Sequence, residues 1–337
     1  MLSNASDTVY PESNHYKDGK FHNEEVEYIA FSWSKLYDIT KAYINDKSDE
    51  STPKQAIPIV KLNTEAVNAM PDNSVVRLTH STLLFKLEGE YFLTDPVFSE
   101  KISPVSFIGT KRFHPSPISI VDLPPIKAVV MSHDHYDHLD SQAIKQLQDK
   151  VEHFYTPLGV GERLIGFGIA KEKVSEFDWW ESVSVGDVEL TATPAQHFSG
   201  RGLWDGNETL WASWVIKTPV VNLFFSGDSG YFTGFKRIGE ALGPFDMSFI
   251  ETGAYNALWH EVHMFPDESL QAHIDLNAKV MFPIHNGSFD LALHAWHEPF
   301  NLVAQYAEEK NVDIRFPKMG EVLSLQSPRA TPHWWKQ

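Results

Sequence analysis

A run of metal-ligand side chains, HDHYDH at residues 133–138, constrains this chain more than any other feature. It directly follows the apolar run KAVVMS, which is typical of a buried strand. Imidazole nitrogens and carboxylate oxygens bind Zn²⁺ and similar divalent ions. Open α/β sheets place their sites at the carboxyl ends of their strands, so the run predicts a metal site there. The candidate ligands are His133, His135, Asp137 and His138.

Chance clustering of histidines in an exposed polar loop is the alternative explanation, because the chain contains 16 His. One close pair would carry no weight in such a chain. Four ligand-type side chains within six residues, directly after a buried strand, favour a metal site instead. Taken alone, the run leaves open a mononuclear, a dinuclear or a structural site.

Three further strand candidates end on ligand-type side chains. TATPAQH ends on His197, KVMFPIH ends on His285, and Asp228 follows the apolar run VVNLFFS. Each of these histidines alone would more often be an ordinary buried or surface residue. Together they complete two ion positions, with Asp228 as a bridge because a carboxylate has two oxygens to share. We predict that one ion binds His133, His135 and His197, and that the other binds Asp137, His138 and His285.

Charge and composition restrict the partners. Asp and Glu outnumber Lys and Arg by 45 to 28, which argues against nucleic-acid binding and against docking on an anionic membrane. The absence of Cys excludes disulfides, thiolate metal sites and a Cys nucleophile. The first residues lack an apolar signal region, and no run approaches the roughly 18 apolar residues of a membrane span. We expect a cytoplasmic protein without stable membrane insertion, in which exposed aromatic side chains could support a homodimer.

Strand and helix patterns predict an α/β or α+β domain. Residues 1–70 are polar and weakly periodic, and we predict an N-terminal arm that packs on the body, with a helix within 28–44. The main domain is expected at 71–330 and a tail at 331–337. Predicted strands are 74–80, 82–88, 91–95, 127–132, 183–194, 210–216, 220–226, 246–251 and 279–285, and predicted helices are 141–150, 234–242, 266–276 and 301–310.

The order HxHxDH, a later His, GD and a last His resembles the ligand pattern of the metallo-β-lactamase superfamily. Within it, the chain is similar to the branch that contains N-acylphosphatidylethanolamine-hydrolysing phospholipase D. The resemblance covers roughly residues 75–325, and it implies a four-layer αββα sandwich with metals at one edge between two sheets. The segments that carry it include FLTDPVFS, GTKRFHPSP, LPPIKAVVMSHDHYDHLD, DWWE, PAQH, SGDSGY, GPFD and IHNGSF.

The resemblance also implies a chemistry. The cofactors would be two divalent ions, Zn²⁺ by resemblance, although oxygen and nitrogen ligands also suit Mn²⁺ or Fe. A metal-bridged water or hydroxide becomes a nucleophile near neutral pH and would attack phosphorus or a carbonyl carbon. The resemblance implies that Asp137 orients this nucleophile and takes its proton. His263 in HEVHMFP aligns with a histidine near the site in the phospholipase branch, which makes it a candidate catalytic acid or substrate contact.

Several other residues are weaker candidates. Superfamily members place an aspartate at the position of Asp95 to hold a metal-binding histidine, and His260 is a possible neighbour of the site. His273 lies in a predicted helix, where it could support the metal ligands, although a role in helix packing is expected at least equally. Lys111 and Arg112 could reach a phosphate, but such a pair is more often a solvated loop. Trp179 and Trp180 are expected to pack rather than to bind substrate.

Three functions remain open from the sequence. The first is a metal-dependent phosphodiesterase acting on a lipid or small-molecule substrate. The second is a lactonase or other carbonyl-ester hydrolase on the same dinuclear site. The third is a non-catalytic, metal-stabilised binding or regulatory protein. The arm before residue 70 and the segment NALWHEVHMFP depart from the phospholipase branch, and these regions would shape an acyl-binding surface.

Overall fold

Two seven-stranded sheets face each other in this computed structural model, which describes residues 10, 12–28, 32–103, 109–202 and 204–336. In chain order the strands are β1 (Tyr16–Lys17), β2 (Lys20–Phe21), β3 (Ser74–Thr79), β4 (Thr82–Leu87), β5 (Glu90–Thr94), β6 (Lys101–Ile102), β7 (Thr110–Lys111), β8 (Ile126–Val130), β9 (Val151–Pro157), β10 (Val174–Phe177), β11 (Ser182–Val185), β12 (Val188–Thr193), β13 (Ser213–Lys217), β14 (Asn222–Phe225), β15 (Phe245–Glu251), β16 (Ala278–Ile284), β17 (Asp313–Ile314) and β18 (Val322–Ser324).

The helices lie between these strands along the chain. They are α1 (Trp33–Asn45), α2 (Thr64–Asn68), α3 (Ser141–Leu147), α4 (Val160–Gly166), α5 (Gly234–Leu242), α6 (Pro266–Asp275) and α7 (Glu298–Lys310). Asp140 caps α3, as its position in the sequence suggests, and its Oδ1 accepts hydrogen bonds from the backbone N–H groups of Gln142 and Ala143.

The two sheets share one plan. The first has the order β10-β9-β8-β5-β4-β3-β18, and the second has the order β11-β12-β13-β14-β15-β16-β17. Followed along the chain, each sheet starts with antiparallel hairpins and continues with parallel strands. The parallel strands are β5, β8, β9 and β10 in the first sheet and β14 to β17 in the second. The carboxyl ends of these parallel strands meet at one edge of the sandwich.

Side-chain alternation along the strands separates the layers. In β4, Phe85 faces the second sheet while Leu84 faces outward, and in β14 Phe225 faces inward while Phe224 faces outward. The ring of Phe85 meets that of Phe249 edge to face, with centroids 5.2 Å apart, in the core between the sheets. Such strands are apolar on both faces because both faces are covered.

Helices cover the two outer faces. Ile144 of α3 and Leu164 of α4 pack with Leu84 on the first sheet. Phe235 of α5, together with residues of α6 and α7, packs with Phe224 on the second sheet. The resulting order of layers is helix, sheet, sheet, helix, which confirms the predicted αββα sandwich.

Most predicted elements are present, with bounds shifted by a few residues. The sequence patterns missed β9, β10, β18, α2, α4 and the two-residue strands, because each is short or mixes polar with apolar residues. The predicted strand 183–194 is the antiparallel hairpin of β11 and β12. The predicted helix within 28–44 corresponds to α1, and residues 29–31 lie outside the described part. None of the helices in the described part of the chain is long and apolar enough to cross a membrane.

Candidate metal centre

The predicted ligands meet at the edge where the parallel strands end. The loop after β8 carries His133, His135, Asp137 and His138, the loop after β14 carries Asp228, and His285 follows β16. His197 comes from the loop after β12. The structure therefore brings all seven side chains together from four loops of both sheets. The distances between their ligand atoms divide them into two groups.

Three imidazoles form the first group. Nε2 of His133 lies 2.9 Å from Nδ1 of His135, and Nε2 of His197 lies 3.2 Å from the same atom. Burial lowers the pKa of His133 and His197 well below the ordinary value, and it also lowers the pKa of His135. The three rings are therefore neutral near pH 7, and their lone pairs are available to a cation.

The second group surrounds the carboxylate of Asp137. Its Oδ2 lies 3.3 Å from Nε2 of His285 and 3.7 Å from Nε2 of His138. The same oxygen lies 3.2 Å from Nε2 of His80, a residue that the sequence analysis did not single out. These four residues can each direct one ligand atom to a common point.

Asp228 lies between the two groups. Its Oδ2 is 3.0 Å from Nε2 of His285 and 3.1 Å from Nε2 of His138. On the other side it is 3.8 Å from Nε2 of His133 and 3.9 Å from Nε2 of His197. This position is the one expected of a carboxylate shared by two ions, which was the role predicted for Asp228.

Hydrogen bonds to residues outside the two groups orient the ligands. Nδ1 of His138 donates to Oδ2 of Asp95 at 2.7 Å, and the backbone N–H of Ser132 donates to Oδ1 of Asp95 at 2.7 Å. Nδ1 of His197 donates to the Val262 carbonyl at 2.9 Å. Both bonds leave Nε2 of the ring facing the centre. Asp95 thus contacts a candidate ligand in the way the resemblance implied.

The electrostatics of the centre fit divalent cations. Burial raises the pKa of Asp137 and Asp228, but the neighbouring histidines outweigh it and hold both pKa values well below the ordinary range. Conversely, burial lowers the pKa of His285, but the effect of the Asp228 and Asp137 carboxylates is larger. Together they raise the pKa of His285 to about 9. The buried carboxylate of Asp228 and the half-buried carboxylate of Asp137 therefore require positive charge, which protons or metal ions would supply.

Buried polar atoms without partners support the same fit. Nε2 of His138 and Oδ1 of Asp228 are buried and accept or donate no hydrogen bond among residues 10, 12–28, 32–103, 109–202 and 204–336. Buried polar atoms are nearly always paired, so such atoms in a native protein call for an explanation. Nitrogen and oxygen donors of this kind suit Zn²⁺, Mn²⁺ or Fe.

His263 borders the centre, and Glu251 holds it there. Nδ1 of His263 donates to Oε2 of Glu251 at 2.8 Å, while Oε1 of Glu251 accepts from the backbone N–H of Met264 at 2.8 Å. Burial raises the pKa of Glu251, and the charge of His263 opposes this rise. Glu251 was missed by the sequence analysis, although it is the last residue of β15 and so lies at the edge where the ligands gather.

The weaker candidates lie away from the centre or have partners of their own. Nζ of Lys111 pairs with Glu100 at 2.8 Å, and Nε of the buried Arg112 donates to the His114 carbonyl at 2.8 Å. Nε2 of His260 lies 2.7 Å from Oε1 of Glu268.

Packing explains two more of these candidates. Nδ1 of the buried His273 is 2.8 Å from Oγ of Ser248, beneath the second sheet. Trp179 is buried and its Nε1 donates to the Trp211 carbonyl at 2.6 Å. Trp180, by contrast, is exposed.

A pocket of about 260 Å³ opens onto the centre. Its polar floor is formed by His135, Asp137, Asp228, His263 and His285. Its walls are largely apolar, and two of the side chains, Ile39 and Tyr43, come from α1. The remaining wall residues are Tyr28, Phe198, Ala254, Trp259, Val262 and Leu291.

Comparison with known proteins agrees with the fold. The family model described as the β-lactamase superfamily domain matches residues 90–286, which is more than half of the chain. The metallo-hydrolase Igni18 of the archaeon Ignicoccus hospitalis has a similar structure, with a TM-score of 0.57, 17% identity, and coverage of 74% of this chain and 97% of its own. The chain belongs to the metallo-β-lactamase superfamily and is an enzyme of the metal-dependent hydrolase class.

Relatives by sequence give a narrower similarity. An uncharacterized protein of Mycobacterium tuberculosis is 36% identical over 97% of this chain and 89% of its own length. N-acyl-phosphatidylethanolamine-hydrolyzing phospholipase D 1 of Caenorhabditis elegans is 34% identical over 85% of this chain and 87% of its own length. The similarity to the phospholipase covers 85% of this chain, whereas the family model covers only residues 90–286. The similarity therefore extends beyond the domain that the family model describes.

Proposed function

We propose that this chain is a two-metal phosphodiesterase that cleaves N-acylphosphatidylethanolamine or a closely related phosphodiester lipid. The observation that carries the proposal is the pocket. Its floor consists of charged and metal-ligand side chains, and its walls are apolar. A molecule that joins a reactive polar group to an acyl chain matches both parts of this lining. The named activity of the Caenorhabditis elegans relative supports the same substrate class.

The residues of the two groups fit a pair of divalent ions. His133, His135 and His197 would hold one, while Asp137, His138 and His285 would hold the other, with Asp228 between them. Such ions would supply an activated water nucleophile near neutral pH and stabilise negative charge in the transition state. Asp137 has the most exposed carboxylate of the centre and lines the pocket floor, so it would orient the attacking water and accept its proton.

Glu251 and His263 would serve the leaving group. Because Nδ1 of His263 is bound to Glu251, its Nε2 is free to face substrate in the pocket. Cleavage of a phosphodiester expels an alkoxide, which needs a proton as it leaves. His263 would hold that proton at Nε2, and the Glu251 carboxylate would keep the ring oriented and stabilise its charged form.

A substrate comparison tests the proposal. Purified, zinc-loaded protein would be incubated with N-acylphosphatidylethanolamine in mixed micelles, with bis(p-nitrophenyl) phosphate and with an acyl-homoserine lactone. We expect hydrolysis of both phosphodiesters, and loss of that activity in Asp137→Asn. His260→Ala serves as a control because His260 is exposed and paired with Glu268. Hydrolysis confined to the lactone would overturn the proposal in favour of a carbonyl hydrolase.

A further inference from the structure

His80 is a buried histidine that the proposed ligand set leaves unused. It directly follows β3, and its ring centroid lies 3.9 Å from that of His285. Its Nε2 faces the carboxylate of Asp137. We propose that His80 is an additional nitrogen ligand of the ion held by Asp137, His138 and His285. This inference rests on the proposed two-metal site.

Distances within the centre support a ligand role. Two neighbouring atoms that bind one ion at about 2.1 Å are separated by about 3.0 Å in octahedral geometry and by about 3.4 Å in tetrahedral geometry. Among the proposed ligands, Nε2 of His285 is 3.3 Å from Oδ2 of Asp137 and 3.0 Å from Oδ2 of Asp228. Nε2 of His80 is 3.2 Å from Oδ2 of Asp137, within the same range. Ligand atoms of His80, Asp137, His138 and His285 all lie within 4.8 Å of one another.

The backbone holds His80 in this position. Its N–H donates to Oγ of Ser288 at 2.8 Å. Its carbonyl accepts from Nε of Arg77 at 2.8 Å and from the N–H of His285 at 3.3 Å. The turn that carries His80 is therefore tied directly to the turn that carries His285.

Arg77 forms a second connection between the turns that carry His80 and His285. It is buried, and its other nitrogens donate to Oδ1 of Asn286 at 2.9 Å and to the Asn286 carbonyl at 2.7 Å. Asn286 follows His285 directly, so a single guanidinium fixes both turns. A ligand that is held before the ion arrives loses little freedom on binding, which favours affinity.

Orientation of Asp137 is the competing role for His80. In that case Nε2 would carry a proton and donate to the carboxylate without contacting an ion. The environment of Nδ1 does not distinguish the two roles. Nδ1 of His80 is buried and has no hydrogen-bond partner in the described ranges, and the same is true of Nδ1 of the proposed ligand His285. The roles differ in what a glutamine can replace, since its amide can donate to Asp137 but is a poor metal ligand.

The test compares full-length His80→Ala and His80→Gln with the unaltered protein, each loaded with Co²⁺. The visible spectrum reports the ligands of each ion, and competition with a chelator gives the two dissociation constants. His273→Ala is a matched control, because it also removes a buried imidazole but lies outside the centre. Circular dichroism establishes that each variant is folded, and His80→Gln decides the outcome if His80→Ala does not fold.

We expect both His80 variants to bind the ion held by Asp137, His138 and His285, here called the second ion, more than about 100-fold more weakly. Residues that only orient ligands change metal affinity by about 10- to 100-fold. The cobalt spectrum should change, and the affinity for the ion held by His133, His135 and His197 should stay the same. A glutamine variant that binds the second ion within that range, with an unchanged spectrum, would overturn the ligand role and leave the proposed function standing. Binding of fewer than two ions by the unaltered protein would overturn both.

Discussion

Oε2 of Glu251 lies 2.8 Å from Nδ1 of His263, and this contact connects the end of β15 to the floor of the pocket. The carboxylate is buried, whereas the imidazole reaches the pocket. A buried carboxylate that fixes a histidine at one nitrogen leaves the other nitrogen aimed at substrate. In the proposed mechanism, the pair would bring a proton donor to the metal centre from β15 and the loop after it, which supply no proposed metal ligand.

His263→Ala should reduce kcat without changing metal content. We expect a loss of about 10²- to 10⁴-fold, the usual contribution of a positioned acid or base. Steady-state kinetics on N-acylphosphatidylethanolamine, whose leaving group is an alkoxide that needs a proton, with metal analysis of the same samples, provides the measurement. His260→Ala is the control for removing a nearby exposed histidine. A kcat close to that of the unaltered protein would show that His263 does not serve the leaving group.

Glu251→Gln should lower kcat more than it changes KM. The amide can no longer stabilise a charged imidazolium, although it can still fill the space and accept from the Met264 N–H. The loss should be smaller for substrates with a good leaving group such as p-nitrophenolate, which needs no proton. Equal losses for good and poor leaving groups would contradict this role for the pair.

Asp95→Asn should weaken metal binding from outside the ligand set. The asparagine oxygen would still accept from the Ser132 N–H, which turns its NH₂ group towards Nδ1 of His138. Two donors would then face each other, and relief of that conflict places the proton on Nε2, the atom that faces the centre.

We expect about 10- to 100-fold weaker binding of the ion held by His138, measured by competition with a chelator. Asp246→Asn, a substitution near the protein surface at a residue paired with Lys279, is the control. Unchanged affinity in Asp95→Asn would show that the hydrogen bond does not set the tautomer of His138.

Ile39→Asp should separate lipid from small substrates. Ile39 lines the apolar wall of the pocket, and a carboxylate there would have to be desolvated by an acyl chain. We expect at least about 10-fold lower kcat/KM for N-acylphosphatidylethanolamine, with little change for bis(p-nitrophenyl) phosphate. Thr40→Asp adds the same charge on the exposed side of α1 and is the matched control. Parallel losses on both substrates would mean that the wall does not receive the acyl chain.

The sequence predicted those candidate ligands that follow strongly apolar strands. Asp228 and His285 could be placed near HDHYDH because the carboxyl ends of parallel strands share one edge. His80 and Glu251 escaped notice because each is a single polar residue at a strand end, and its meaning depends on which strands become neighbours. His263 reaches Glu251 through a loop whose path follows from tertiary packing rather than from local pattern. The fold class was confirmed, while the domain limits at residues 70 and 330 stay predictions.

The most direct test of the two-metal phosphodiesterase is the position of oxygen incorporation. Zinc-loaded protein would hydrolyse N-acylphosphatidylethanolamine in H₂¹⁸O, and mass spectrometry would locate the label in the products. Attack at phosphorus predicts one ¹⁸O in the phosphate of phosphatidic acid, together with unlabelled N-acylethanolamine, and loss of both products when the metals are removed by a chelator. Label in a released fatty acid, or phosphatidic acid formed at an undiminished rate without metal, would contradict the proposed function.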